Sequence, residues 1–179
     1  YRDQRTNGLP DRYFATRDRY EHYRHNGTQV MEINTLFQLL ALQERGQLPD
    51  SHGARLLFMP DLFSFFLTGT ANNEYTIAST SELLNATTRD WDWELIDEAR
   101  LPRSLFQPIV MPGTSRGCLL PDIAKEVGLS DTVEVIAVAS HDTASAVASM
   151  PAFDRPTAWI SSGTWSLLGT TVGTPILTP

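Results

Sequence analysis

Apolar residues recur at helical spacing along residues 34–46, and this is the clearest amphipathic segment of the chain. Leu36 and Leu39 lie on one face of the predicted helix, and charged residues follow near its end. Asn34 or Thr35 can cap the first turn, and Gly46 can end the helix. The pattern predicts a helix whose apolar face packs into the core.

Prolines and glycines mark the ends of further short elements. Pro10 can open a helix in a polar, aromatic segment, and Gly27 can end one. We also predict helices over residues 60–67, 94–99 and 119–127, and a short buried strand or helix end over residues 55–59. A row of aromatic side chains is predicted to lie in the core: Phe58, Phe63, Phe65 and Phe66.

Residues 133–147, which read VEVIAVASHDTASAV, change abruptly from apolar to polar. The apolar part is short enough for a buried strand, and the small residues after it favour a helix start. Between the two lies a cluster of polar side chains: Ser140, His141, Asp142 and Thr143. Because ligands bind at the carboxyl ends of parallel strands, this cluster is a candidate site. The alternative is that Asp142 or Ser140 simply caps the helix.

A second polar cluster lies between two apolar segments, residues 158–160 and 167–168. The pattern predicts a hairpin with a tight turn at Ser162, Gly163 and Thr164. Glycine allows close approach of the backbone, and successive N–H groups and hydroxyls in a turn can hold an anion. The turn therefore either grips a phosphate or is an ordinary hairpin turn without a ligand.

The two clusters together predict phosphoryl transfer. We expect the Asp142 carboxylate to face the glycine turn across a cleft. The transition state of this reaction is loose, so the attacking hydroxyl loses its proton late and a carboxylate suffices as the base. Apart from a metal ion, the reaction needs mainly positioning from the protein.

Composition and charge exclude several other classes of protein. The 179 residues are 41% hydrophobic and 20% charged, which indicates a globular chain with a real core. The net charge of -7 favours neither nucleic acid nor an anionic membrane as a partner. Cys118 is the single cysteine, which fits a reducing cytoplasm. His22 and His25 lack further ligands nearby, so no zinc site is predicted.

The strings SHDTASAV (140–147) and SSGTWSL (161–167) resemble those of the FGGY carbohydrate kinases. Shorter segments also resemble this family: YRDQRT (1–6), NTLFQL (34–39), MPDLF (59–63), LTG (67–69) and EYT (74–76). The resemblance implies a partial actin-like, ribonuclease-H-like α/β fold in a central piece of a longer kinase. Residues 1–150 would end the sugar-binding domain, and residues 157–179 would begin the ATP-binding domain.

The resemblance also implies a reaction and assigns residues to it. The branch with these strings would transfer the γ-phosphate of ATP, with Mg²⁺, to the 1-hydroxyl of L-rhamnulose in L-rhamnose catabolism. Asp142 would be the general base, and His141, Asp142 and Thr143 would contact the sugar. Thr164 would contact the ATP phosphates, and Gly163 would let the backbone come close. No metal ligand is assigned within the chain.

Two alternatives remain open on the sequence. The kinase could act on another sugar, such as xylulose, fuculose or glycerol. His141 beside Asp142 and Trp165 after Thr164 favour the L-rhamnulose branch over these. Alternatively, the 179-residue piece alone could be an inactive sugar-binding unit, because part of the nucleotide site would lie outside it.

Overall fold

The computed structural model describes residues 4–49, 53–151, 157–163 and 165–178. Within these ranges no helix combines the length and the apolar character needed to cross a membrane. The helices are α1 (Leu9–Phe14), α2 (Arg19–Asn26), α3 (Thr35–Glu44), α4 (Met59–Thr68), α5 (Tyr75–Ala78), α6 (Trp93–Glu98), α7 (Pro121–Val127) and α8 (Asp142–Ala148). Single 3₁₀ turns occupy Ser79–Ser81 and Arg103–Leu105.

The strands are short and pair two by two. They are β1 (Asn73–Glu74), β2 (Leu84–Asn85), β3 (Asp90–Trp91), β4 (Ile109–Val110), β5 (Ser115–Cys118), β6 (Glu134–Ile136), β7 (Ala158–Ser162) and β8 (Ser166–Thr170). Strand β1 pairs with β4 in parallel. The pairs β2–β3, β5–β6 and β7–β8 are antiparallel.

Local sequence signals explain most of the helix ends. The Asp92 side chain accepts a hydrogen bond from the N–H of Leu95 and so caps α6. Gly69 ends α4 in a left-handed conformation with φ of 71°, where a side chain would be strained. Helix α3 also lies where the apolar stripe predicts it, although the side chain of Asn34 makes no capping hydrogen bond.

The hydrophobic core lies between residues 9 and 106. Helix α3 contributes Leu36 and Phe37, which are fully buried, and Ile96 of α6 is buried beside them. Trp91 and Phe106 pack edge to face, with ring centroids 5.0 Å apart. After residue 106 few described apolar side chains are buried, so the polar clusters that follow rest on the outside of this core.

Three sequence-based expectations about burial are wrong. Phe63 and Phe66 of α4 are 61% and 56% exposed, so the aromatic row is not all core. Residues 55–58 form neither a strand nor a helix, and Met59, the first residue of α4, is 63% exposed. The apolar run at 133–138 forms only the short strand β6, which pairs antiparallel with β5, and Val138 is 65% exposed. Apolar character alone does not specify which segment covers a strand.

Candidate active site

Asp142 begins helix α8 and presents an open carboxylate. Its side chain is 98% exposed, and Oδ1 accepts a hydrogen bond from the N–H of Thr143 at 2.7 Å. His141 holds the N-cap position, and no side chain caps the helix there. The alternative that Asp142 or Ser140 serves as the cap is therefore wrong. The carboxylate remains available to a ligand.

His141 lies next to this carboxylate without bonding to it. Its Nε2 is 3.8 Å from Asp142 Oδ1, which is longer than a hydrogen bond, and its side chain is 32% exposed. The two residues lie where the segment after β6 meets the start of α8. In this region, the hydroxyl of Ser145 donates to the carbonyl of Ala139, which ties the first turn of the helix back to the preceding segment.

The predicted hairpin is present, although Ser162, which we expected in the turn, is the last residue of β7. Ser162 of β7 pairs with Ser166 of β8, and the N–H of Gly163 donates to the carbonyl of Trp165 at 2.9 Å. This N–H is thus engaged inside the turn. Among the described residues beyond its chain neighbours, a Cβ added to Gly163 would meet only the Trp165 carbonyl oxygen, at 3.9 Å, which leaves open space on that side. Thr164 lies outside the described residues.

One cavity of about 520 Å³ joins the two polar clusters. Its volume lies within the range of small-molecule sites, about 300–1,000 Å³. Helix α8 contributes His141, Asp142 and Thr143, and the hairpin contributes Gly163. The expected cleft between the carboxylate and the glycine turn therefore exists.

The opposite wall of this cavity comes from distant segments whose local patterns do not predict a site. Met31, Ile33 and Asn34 precede or begin α3, and Thr80 lies in the 3₁₀ turn. The local patterns of these segments predict only core packing and structural roles. Contacts across more than a hundred residues leave no periodic signal in the chain, so no pattern could have found this wall.

The described lining of the cavity carries little charge. Asp142 and His141 are its only titratable side chains among the described residues, and the rest are apolar or neutral polar groups such as Gln29 and Thr35. These neutral groups can donate to and accept from hydroxyls. This chemistry suits an uncharged polyol more than a second anion.

A buried acid–base pair supports the wall that contains Met31. Glu82 is fully buried, and its Oε2 lies 2.9 Å from His22 Nε2. Its Oε1 accepts a hydrogen bond of 3.4 Å from the N–H of Met31. Burial raises the pKa of Glu82 above its ordinary value of 4.5, although the hydrogen bond from His22 opposes the rise.

The described residues contain no cluster of three or more His, Cys, Asp or Glu side chains that could hold a metal ion. Two basic residues near the amino end of the described chain are paired with acids. Arg19 contacts Asp11 at 2.7 Å, and Arg24 contacts Glu21 at 3.2 Å. These exposed pairs form a solvated helix face.

Comparison with known proteins decides the family. Residues 1–148 match the model for the FGGY family of carbohydrate kinases, N-terminal domain. The chain belongs to the FGGY family of carbohydrate kinases. This FGGY chain is 44% identical over 178 residues to the rhamnulokinase of Bacteroides thetaiotaomicron. It is 43% identical over 176 residues to the rhamnulokinase of Yersinia pestis strain Pestoides F.

The FGGY chain spans only part of these relatives. It covers 36% of the length of the Bacteroides protein and 35% of the Yersinia protein, while 99% and 98% of the chain is aligned. Among solved structures, a carbohydrate kinase from Novosphingobium aromaticivorans matches with a TM-score of 0.73 and 27% identity. That match covers 96% of this chain and 37% of the other. The predicted partial actin-like α/β fold is therefore confirmed.

Proposed function

We propose that the full-length protein containing this chain phosphorylates L-rhamnulose at its 1-hydroxyl. The γ-phosphate of ATP is transferred, and the products are L-rhamnulose 1-phosphate and ADP. One structural observation carries the proposal: the open carboxylate of Asp142 and the glycine turn share one cavity. The 43–44% identity to proteins named rhamnulokinase supports this sugar over xylulose, fuculose or glycerol.

Asp142 acts as the general base in this proposal. Its carboxylate accepts the proton of the sugar 1-hydroxyl as the oxygen attacks the γ-phosphorus. The oxygen–phosphorus bond to ADP breaks at the same time. The N–H and the hydroxyl of Thr143 both contact Oδ1 of Asp142, at 2.7 and 3.5 Å, and leave the second carboxylate oxygen free for the substrate. His141 and Thr143, which line the same cavity, bind the sugar hydroxyls and orient the molecule.

The hairpin turn holds the ATP phosphates in this proposal. The open space beside Gly163 lets a phosphate approach the backbone. Thr164 supplies a hydroxyl donor from the same turn. Because the described lining offers no Lys or Arg, phosphate charge in this cavity calls for a cation.

Mg²⁺ is the proposed cation. It commonly binds substrate phosphates together with one or two carboxylates and keeps several waters. The described residues contain no cluster of ligands for a metal ion, so we assign no Mg²⁺ ligand within this chain. When bound, Mg²⁺ offsets the negative charge that develops on the transferred phosphoryl group.

We also propose that the site lies at a domain boundary. Residues 1–150 end the sugar-binding domain, and residues 157–179 begin the ATP-binding domain. The cavity has α8 on one side and the hairpin on the other. Closure of such a cleft would exclude water and suppress hydrolysis of ATP. A single cysteine favours the reducing cytoplasm as the location.

A sugar panel tests the proposed substrate. The full-length protein is assayed for ADP release with L-rhamnulose, xylulose, fuculose and glycerol under identical conditions. We expect the highest kcat/KM with L-rhamnulose. A higher value for any of the other three would assign the protein to another branch of the family.

Calorimetric titration of the 179-residue chain tests how much of the site it contains. His141, Asp142 and Thr143 all belong to this chain, so we expect L-rhamnulose to bind. ATP binding should be much weaker than in the full-length protein. Tight ATP binding with no sugar binding would contradict the assignment of residues 140–143 to the sugar.

A further inference from the structure

Two side chains far away in the sequence hold the main chain just before Asp142. The carboxylate of Glu74 accepts a hydrogen bond from the N–H of Ser140 at 3.1 Å. The hydroxyl oxygen of Thr76 accepts one from the N–H of His141, also at 3.1 Å. These contacts join positions that are 66 and 65 residues apart. We call Glu74 and Thr76 the 74–76 clamp.

Glu74 does more than cap the short helix α5. As a cap it accepts from the N–H groups of Thr76 and Ile77, at 2.8 and 3.2 Å. It accepts in addition from the Thr76 hydroxyl at 2.6 Å and from Ser140. The hydrogen bond from the N–H of Ser140 lies outside α5 and contributes nothing to its cap. The Thr76 hydroxyl donates to Glu74 and accepts from His141, so the two members of the clamp are linked.

The clamp itself is anchored in the protein interior. Glu74 has no exposed surface, and its own N–H donates to Asp61 Oδ1 at 3.1 Å. Asp61 is also fully buried and bonded to Arg116 at 2.6 Å. The Glu74 carboxylate is therefore held in a fixed position, because the residue is buried and hydrogen-bonded to its neighbours.

Besides the clamp, the start of α8 is tied to the preceding segment by the Ser145 hydroxyl, which donates to the carbonyl of Ala139. No side chain caps the helix at His141. Asp142 itself is bonded through its side chain only to Thr143, among the described contacts. The direction in which the Asp142 carboxylate points therefore follows from the main chain at 140–141, which the clamp holds.

We propose that Glu74 and Thr76 are positioning residues that set the Asp142 carboxylate for proton transfer. The inference rests on the proposed function. Neither side chain lines the cavity, so both act through the main chain. Displacement of a catalytic group by about 1 Å can cost on the order of 10²-fold in rate. Loosening the clamp should therefore lower kcat and leave the KM for ATP unchanged.

Thr76→Val and Thr76→Ser test the clamp in the full-length kinase. Valine keeps the shape and removes the hydroxyl, whereas serine keeps the hydroxyl. We expect Thr76→Val to lose about 10- to 100-fold in kcat with an unchanged KM for ATP. Thr76→Ser should recover most of the loss. Thr68→Val is the matched control, because among the described residues the Thr68 hydroxyl bonds only within and just after α4. The kcat of Thr68→Val should equal that of wild type.

Hydrogen–deuterium exchange provides a readout that needs no substrate. Thr76→Val should speed exchange of the amides at 140 and 141, and Thr76→Ser should not. Unchanged exchange there in Thr76→Val would overturn the clamp. If exchange speeds up but kcat stays at the wild-type value, the positioning role is overturned. If wild type itself fails to phosphorylate L-rhamnulose, the proposed function fails, and exchange still decides whether the clamp exists.

Discussion

Replacing Arg116 by methionine should destabilise the protein strongly, because it would leave a buried charge without its partner. The Arg116 and Asp61 side chains are 2% and 0% exposed, and their atoms lie 2.6 Å apart. Arg116 also donates to Asn72 Oδ1 at 2.7 Å and to Ser64 Oγ at 2.9 Å. Methionine keeps much of the volume and offers none of these donors.

The size of the effect follows from what remains around Asp61. Its carboxylate would keep the Asn73 amide at 2.9 Å and the Glu74 N–H at 3.1 Å, both of which are neutral donors. Removing one partner of a buried ion pair costs about 3–5 kcal/mol. For a chain of this length that loss corresponds to about 6–20 °C in the unfolding midpoint.

Urea and thermal unfolding followed by circular dichroism measure the loss. Adding Asp61→Asn to Arg116→Met removes the orphaned charge and keeps an oxygen acceptor, so the double variant should regain about 1 kcal/mol or more. Arg103→Met is the matched control, because Arg103 and its partner Asp97 are 59% and 51% exposed; it should leave the midpoint almost unchanged. A loss below about 1 kcal/mol in Arg116→Met, or a further loss in the double variant, would refute the reasoning.

Three further predictions concern other parts of the molecule. The raised pKa of Glu82 means that the folded state holds the Glu82 proton to higher pH than the unfolded state does, so this stability contribution is lost as the pH rises above 4.5. In pH-dependent urea unfolding, Glu82→Gln should therefore gain stability over wild type as the pH rises towards neutrality, and parallel curves would contradict this. Gly169→Ala should destabilise the hairpin, because a Cβ there would lie 2.6 Å from Trp159 Cη2, whereas Gly173→Ala meets nothing within 4 Å and should be neutral in thermal unfolding. Thr164→Val should raise the KM for ATP, and a change confined to the KM for sugar would contradict the role of Thr164.

Local chemistry in the sequence was sufficient to predict most of the helices and the hairpin. Each of these features depends on residues only a few positions apart in the chain. Examples are the cap at Asp92, the helix end at Gly69 and the alternating residues of β7 and β8. The candidate site at His141 and Asp142 could also be predicted locally, because these polar residues directly follow an apolar run. Elements and residues of this kind could be predicted because their causes lie within one turn of the chain.

The remaining features depend on contacts between distant segments. The run at 133–138 has the composition of a buried strand, yet its exposure depends on what packs over it. Met31 and Thr80 line the cavity together with α8, although their segments share no sequence pattern with it. The same holds for Glu74, which accepts a hydrogen bond from the N–H of Ser140. Such contacts are set by the packing of the whole core, which periodicity does not encode.

The central claim is that the Asp142 carboxylate takes the proton of the sugar hydroxyl. Asp142→Asn in the full-length protein tests it most directly, because asparagine keeps the shape and the oxygen that accepts from Thr143. Turnover of L-rhamnulose is measured together with the Kd for the sugar, and Asp122→Asn, an exposed change in the first turn of α7, is the control. We predict a fall in kcat of about 10²–10⁴-fold with little change in Kd, and an unaffected control. Turnover close to that of wild type in Asp142→Asn would contradict the account.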